Sequence, residues 1–191
     1  MASFHDLVRA ADELRSRMPR AVVGISGFGG AGKSTLARRL VEAVPGAVRL
    51  RGDDFIVPSR AGERSPDWAM VDRVRLRTEV LEPFRAGSRG RFRRYDWATS
   101  ELLPSEPLPD AGLLVVDAVG ILHPDLDGLI DLSVWTDVDL DTATARGKSR
   151  DRAAGNDHDR LWDDVWVPND RDFAARFRPR ERADLRYDES A

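Results

Sequence analysis

Eight consecutive residues, Gly27-Phe28-Gly29-Gly30-Ala31-Gly32-Lys33-Ser34, constrain this chain more than any other feature. They separate the apolar run AVVGIS (21–26) from TLARRLVEAV (35–44), whose apolar positions recur with helical spacing. A continuous apolar run reads as a strand buried on both faces, and AVRLR (47–51) supplies the next strand, so the segment is one βαβ unit. The glycines let the backbone turn tightly, so that consecutive amides can point at one anion. The helix that follows adds its own unpaired N–H groups and the positive end of its dipole. The pattern G-x-x-x-x-G-K-[ST] therefore predicts a phosphate-binding loop, or P-loop, for a nucleoside triphosphate. Gly27, Phe28, Gly29, Gly30, Ala31, Gly32, Lys33, Ser34 and Thr35 are the expected nucleotide-binding residues. Lys33 is expected to neutralise the β- and γ-phosphates of ATP, and the Ser34 hydroxyl to ligate Mg²⁺.

The rest of the chain fits one domain over 1–191. A helix is expected from Phe4 to Met18, with Ser3 as its N-cap and Pro19 ending it. Apolar strands return at 112–120 and 129–137, helices at 139–155 and 159–177, and a short strand at 182–188. These alternating elements predict an α/β P-loop fold. Its core is a doubly wound parallel sheet of about five strands with helices on both faces. Residues 56–112 read as an acceptor-binding insertion, with a helix-like stretch near 69–86, an arginine-rich run and the proline-punctuated linker LLPSEPLPD. Residues 146–160 read as a lid.

No apolar run approaches the ~20 residues of a membrane span, and the first twenty residues lack the apolar centre of a signal peptide. With no cysteine, disulfides and thiolate metal sites are excluded, which fits a reducing cytoplasm. A net charge of −3 argues against a nucleic-acid partner; homo-oligomerisation stays open. Lysine is nearly absent, so Lys33 stands out against a background of arginine.

Several other residues carry candidate chemistry. LLVVD (113–117) is an apolar strand ending in a carboxylate, which places Asp117 as a second Mg²⁺ ligand. Asp53 follows the strand at 47–51, and acids at the carboxyl end of a parallel strand face the ligand crevice. Asp53 is the candidate base that orients an acceptor hydroxyl, with Asp54 as the alternative. Arg146 and Arg150 share a helix face and could close over a transferring phosphoryl group, or else form a solvated salt-bridged face. The run Arg85, Arg89, Arg91, Arg93, Arg94 leads into Tyr95-Asp96-Trp97. It reads as an exposed hairpin with a packed aromatic, or as an acceptor surface where Tyr95 or Trp97 stacks on a base. Trp162 and Trp166 read as packing residues.

With these motifs assembled, residues 21–187 resemble the uridine kinase / phosphoribulokinase / pantothenate kinase group of P-loop kinases. The resemblance rests on the P-loop, Asp53-x-Phe55, Tyr95-Asp96-Trp97, the strand to Asp117, and Arg146-x-x-x-Arg150-Asp151. It implies ATP- and Mg²⁺-dependent transfer of the γ-phosphoryl to a small-molecule hydroxyl, with Lys33, Asp53, Arg146 and Arg150 catalytic. It also implies an acceptor pocket of Asp53, Phe55, Arg94, Tyr95 and Trp97. Three positions depart from the group: Ile56 replaces a tyrosine, Ala98-Thr99-Ser100-Glu101 replaces a segment with a His and an Arg, and Asp117-Ala118 replaces Glu-Gly. The phosphate machinery therefore transfers more completely than the pyrimidine pocket. A nucleoside such as uridine or cytidine is the expected acceptor; another hydroxylated metabolite, a sugar or an antibiotic is the alternative. A nucleotide-dependent switch would also use Asp117-Ala118-Val119-Gly120, but no N-K-x-D motif is present.

Overall fold

The computed structural model describes residues 1–189, leaving the last two positions of the expected domain outside the described residues. Five parallel strands, β1 (Ala21–Ser26), β2 (Ala47–Arg51), β3 (Leu113–Asp117), β4 (Leu132–Thr136) and β5 (Leu185–Tyr187), form one sheet in the order β2-β3-β1-β4-β5. From β1 the chain moves outward to β2, returns through β3, and then crosses to the opposite side for β4 and β5. The carboxyl ends of β1 and β3 thus lie at the switch point where ligands of open α/β sheets bind. The register aligns Ile25 and Arg51 with Asp117, so the acid stands level with the start of the glycine-rich loop.

Helices cover both faces because every residue of β1 and β3 is buried. Helix α1 (Phe4–Arg17) starts at a reciprocal capping box between Ser3 and Asp6, as the sequence suggests. With α2 (Lys33–Ala43) it brings Leu7, Leu36 and Leu40 against Val23, Ile25, Val115 and Val134. On the other face, α3 (residues 73–85) packs Leu76, Val80 and Phe84 against Val22, Leu114 and Val116. Residues 56–112 therefore do more than insert a lobe, since α3 completes the core of the main sheet. The linker at 102–110 is also partly ordered: Glu106–Pro107 pairs with Arg91–Phe92, and Glu101–Leu102 with Tyr95–Asp96.

α3 begins at Arg73 rather than near 69. Trp68 takes a left-handed backbone (φ 55°), and Asp72 caps the helix by accepting the Arg75 N–H at 2.9 Å. Two longer helices follow, α4 (Leu140–Ala153) and α5 (residues 159–177), and then one short turn of helix at Pro179–Arg182. Both α3 and α5 contain a wide π turn, at Leu76–Leu81 and Trp162–Trp166. Each lies just before a proline, Pro83 or Pro168. Proline returns no N–H to the preceding turn and crowds its carbonyl, and a wider turn relieves both problems.

α5 rests on α4 and on the glycine-rich loop through Trp162, and two glycines make that approach feasible. A Cβ at Gly147 would lie 2.3 Å from the Trp162 ring, and one at Gly30 (φ 83°) would lie 2.1 Å from the Ala143 carbonyl oxygen. Gly147→Ala should therefore destabilise the protein by roughly 1–3 kcal/mol through overpacking. Urea unfolding should show a lower midpoint with an unchanged slope; an unaltered midpoint would mean that Trp162 swings aside freely.

Candidate active site

Gly27–Gly32 leave β1 and hand the chain to α2, whose first residue is Lys33. The lysine is buried, and its Nζ donates to the carbonyls of Gly27 (3.0 Å) and Phe28 (2.7 Å). Burial lowers its pKa, while the nearby carboxylates Asp170, Asp53 and Asp117 oppose that shift. One ammonium thus stands among three acids drawn from three separate stretches of sequence.

Asp117 is buried at the end of β3. Its Oδ2 accepts the Ser34 hydroxyl at 2.7 Å, and Arg49 holds the carboxylate with both Nε (2.6 Å) and Nη2 (2.8 Å). Arg49 lies on β2, and its role is absent from the sequence reading; the cue available was an arginine inside an otherwise apolar strand. The two oxygen donors of Ser34 and Asp117 suit Mg²⁺, which takes hard oxygen ligands and keeps most of its remaining sites for phosphate and water. Among the described residues no cluster of three or more His, Asp or Glu side chains forms an all-protein metal cage.

Asp53 sits in the turn after β2, where Trp97 Nε1 donates to its backbone carbonyl at 3.1 Å. Its pKa is raised, chiefly by desolvation, with Lys33 opposing and Asp117 adding to the rise. The residue is solvent-exposed although protein surrounds it. Because water still reaches the carboxylate, solvent screening tempers that shift. Asp54, the alternative base, is committed elsewhere: it is buried and bound to Arg94 at 2.6 Å.

The acceptor residues expected from the sequence divide. Trp97 is 48% exposed and lies beside Asp53. The Phe55 ring is fully buried, stacked on Phe92 at 5.8 Å and covered by Arg75, within the core cluster that includes Leu76 and Val116. Tyr95 is 4% exposed, packed edge-on against Trp97. Arg94 bridges Asp54 and Glu106. Much of the basic run is likewise paired, with Arg85 on Asp131 and Arg91 on Ser105.

The two lid arginines also separate. Arg150 donates twice to Asp151, which also accepts Trp162 Nε1 at 2.9 Å, and Arg150 lies near enough to Lys33 to depress its pKa. Arg146 instead lines a cavity of about 290 Å³ on the outer side of the loop, with Gly32, Thr35, Arg39, Val138 and Tyr187.

Asp170, like Arg49, is a residue that sequence reasoning missed. It lies on α5, and is buried with its Oδ2 accepting the Gly29 N–H at 2.7 Å and its Oδ1 accepting Trp68 Nε1 at 3.0 Å. Burial pushes its pKa from 3.8 to about 6. Nothing in NDRDF marks one aspartate among the many acids of this chain; only the packing of α5 selects it.

Strand order, loop and acids together define a P-loop kinase-like α/β protein. No family model matches the chain. It is 26% identical over 137 residues to uridine-cytidine kinase C of Dictyostelium discoideum, a match covering 69% of this chain and 30% of that protein. It is 27% identical over 165 residues to uridine kinase of Saccharomyces cerevisiae, covering 78% of this chain and 33% of the relative. The chain thus spans about a third of the length of each of these curated relatives. In structure it is similar to a provisionally named fructose transport system kinase of Silicibacter sp. TM1040, with a TM-score of 0.78, 22% identity and coverage of 98% of this chain and 100% of the other. A possible uridine kinase of Bacillus stearothermophilus gives 0.70, 18%, 96% and 100%. The chain is thus similar at low identity to uridine kinases in sequence, and it shares their α/β architecture. Among the described residues no helix is long and apolar enough to cross a membrane.

The raised pKa of Asp170 has a consequence for stability. Between 3.8 and about 6 the folded state holds a proton that the unfolded state releases, so this group costs stability as pH rises through that window. The shift of about two units corresponds to ~3 kcal/mol by neutral pH. Urea unfolding at pH 4.5 and 7.5 should show Asp170→Asn gaining on the wild type as pH rises; a pH-independent difference would mean that Asp170 titrates normally.

Proposed function

We propose that this protein is an ATP- and Mg²⁺-dependent kinase that transfers the γ-phosphoryl group to the hydroxyl of a small molecule. The observation that carries the reading is the Asp53 carboxylate, which makes no side-chain hydrogen bond among the described residues and lies within electrostatic reach of the P-loop lysine. In this reading the P-loop amides and Lys33 hold the triphosphate. Ser34 and Asp117 hold Mg²⁺, which supplies charge neutralisation on the phosphate oxygens when bound. Asp53 accepts the proton of the acceptor hydroxyl as its oxygen bonds to the γ-phosphorus. The bond from that phosphorus to the β–γ bridging oxygen breaks, and ADP leaves with the electron pair. Desolvation favours the protonated form of Asp53 and so strengthens it as a base. Arg150 covers the reacting end, whereas Arg146 serves the donor nucleoside.

A nucleoside of the uridine or cytidine kind is the first acceptor to consider, in keeping with the named relatives. A sugar-like polyol is the second. It is favoured by the burial of Phe55 and Tyr95, which leaves Trp97 as the exposed aromatic surface beside Asp53, and by the name of one structural relative.

ADP release measured with ATP and Mg²⁺ over uridine, cytidine and fructose should single out one acceptor class. Lys33→Ala should lower that rate by at least about 10²–10³-fold through lost charge stabilisation. Asp53→Asn should slow transfer by ~10²–10⁴-fold while leaving the ATP dissociation constant nearly unchanged. Wild-type turnover in Asp53→Asn would remove Asp53 from the base role, and ATP binding without any acceptor-dependent ADP would sink the kinase reading.

A further inference from the structure

We propose that Asp170 sets the balance between triphosphate and diphosphate binding: its carboxylate holds the Gly29 amide in the resting protein, and the terminal phosphate of a triphosphate must take that place. The inference rests on reading the glycine-rich loop as the triphosphate site.

The contact is built rather than incidental. Oδ2 of Asp170 accepts the Gly29 N–H at 2.7 Å, a backbone donor of the loop that the motif dedicates to anions. Oδ1 is fixed by the Trp68 indole at 3.0 Å, and Trp68 adopts a left-handed backbone to deliver that N–H. Such a conformation is strained for a bulky residue and persists only where its surroundings enforce it. The neighbouring Asn169 is fully buried and ties α5 to the same loop, accepting the Ser65 N–H at 2.8 Å and donating to the Glu63 carbonyl at 3.0 Å. Trp162 closes over the same point, 3.0 Å from where a Cβ on Gly29 would stand.

The placement says which phosphate is contested. Asp170 is the foremost of the carboxylates acting on Lys33, the residue that reaches the β- and γ-phosphates. Gly29 precedes Lys33, the first residue of α2, by four positions. A diphosphate seated on the α2 amides can leave Asp170 on Gly29, whereas a third phosphate brings negative charge against a buried carboxylate. Two anions cannot share one amide at close range in a low-dielectric site. A burial that costs stability, retained beside the reacting centre, is what a functional role requires.

Dissociation constants for Mg·ATP and Mg·ADP, measured by calorimetry without acceptor, test this directly. Asp170→Asn should bind Mg·ATP about tenfold more tightly, from the removal of one like charge, with Mg·ADP changed less than about twofold on the same scale. Trp68→Phe removes the indole donor that seats Oδ1, and should shift the ATP-to-ADP ratio in the same direction by a smaller factor. It also serves as the second variant if Asp170→Asn folds poorly. Equal changes for ATP and ADP, or weakened ATP binding in a folded Asp170→Asn, would overturn the proposal and make Asp170 a structural strut. Failure of the kinase reading looks different: both nucleotides bind, with their ratio responding to Asp170, yet no acceptor is phosphorylated.

Discussion

A buried lysine ammonium is expensive, and the arrangement around Lys33 follows from meeting that cost. Desolvation pulls its pKa down, and it is held in place by two loop carbonyls and by the fields of Asp53, Asp117 and Asp170. A charge removed from water must be paired and hydrogen-bonded, so these acids and the loop form one electrostatic unit. The sheet order makes the unit geometrically available. β3 lies between β1 and β2, which brings Asp117 beside the loop, while the turn after β2 carries Asp53 to the same edge. A triphosphate with its metal would replace carbonyls and acids by a stronger counter-charge, which makes the resting contacts exchangeable.

Arg49 tempers the acidic side of this unit. Its guanidinium spans both oxygens of Asp117, one of which also accepts the Ser34 hydroxyl. A carboxylate held on both oxygens is fixed in one orientation. The same pairing leaves less net negative charge at this edge of the loop.

How much could be read from the sequence followed the range of the interactions involved. The strands, α1 with its Ser3 cap, and the P-loop were legible because periodicity, capping and glycine spacing act within a few residues. The phosphate side of the candidate site, Lys33, Ser34 and Asp117, was legible for the same reason. The acceptor side was not. Whether Phe55 faces a ligand or the core depends on Phe92 and Arg75, and whether Arg94 is available depends on Asp54 and Glu106. Arg146 and Arg150 share a helix face in sequence, yet one lines the outer cavity and the other pairs with Asp151 near Lys33. Asp170 meets Gly29 across 141 residues, and no local rule reports such a pairing.

The same long-range packing joins three unusual features on one wall of the molecule. The left-handed Trp68, the wide turn at Trp162–Trp166 and the raised pKa of Asp170 all belong to the contact between α5, the 63–72 stretch and the glycine-rich loop. Opposite that contact, α1 and α2 pack on the sheet with regular helical geometry, an N-cap satisfied by Ser3 and an apolar interface. The wall that carries Asp170 is thus held by polar contacts to the loop, and the wall of α1 and α2 by apolar packing on the sheet.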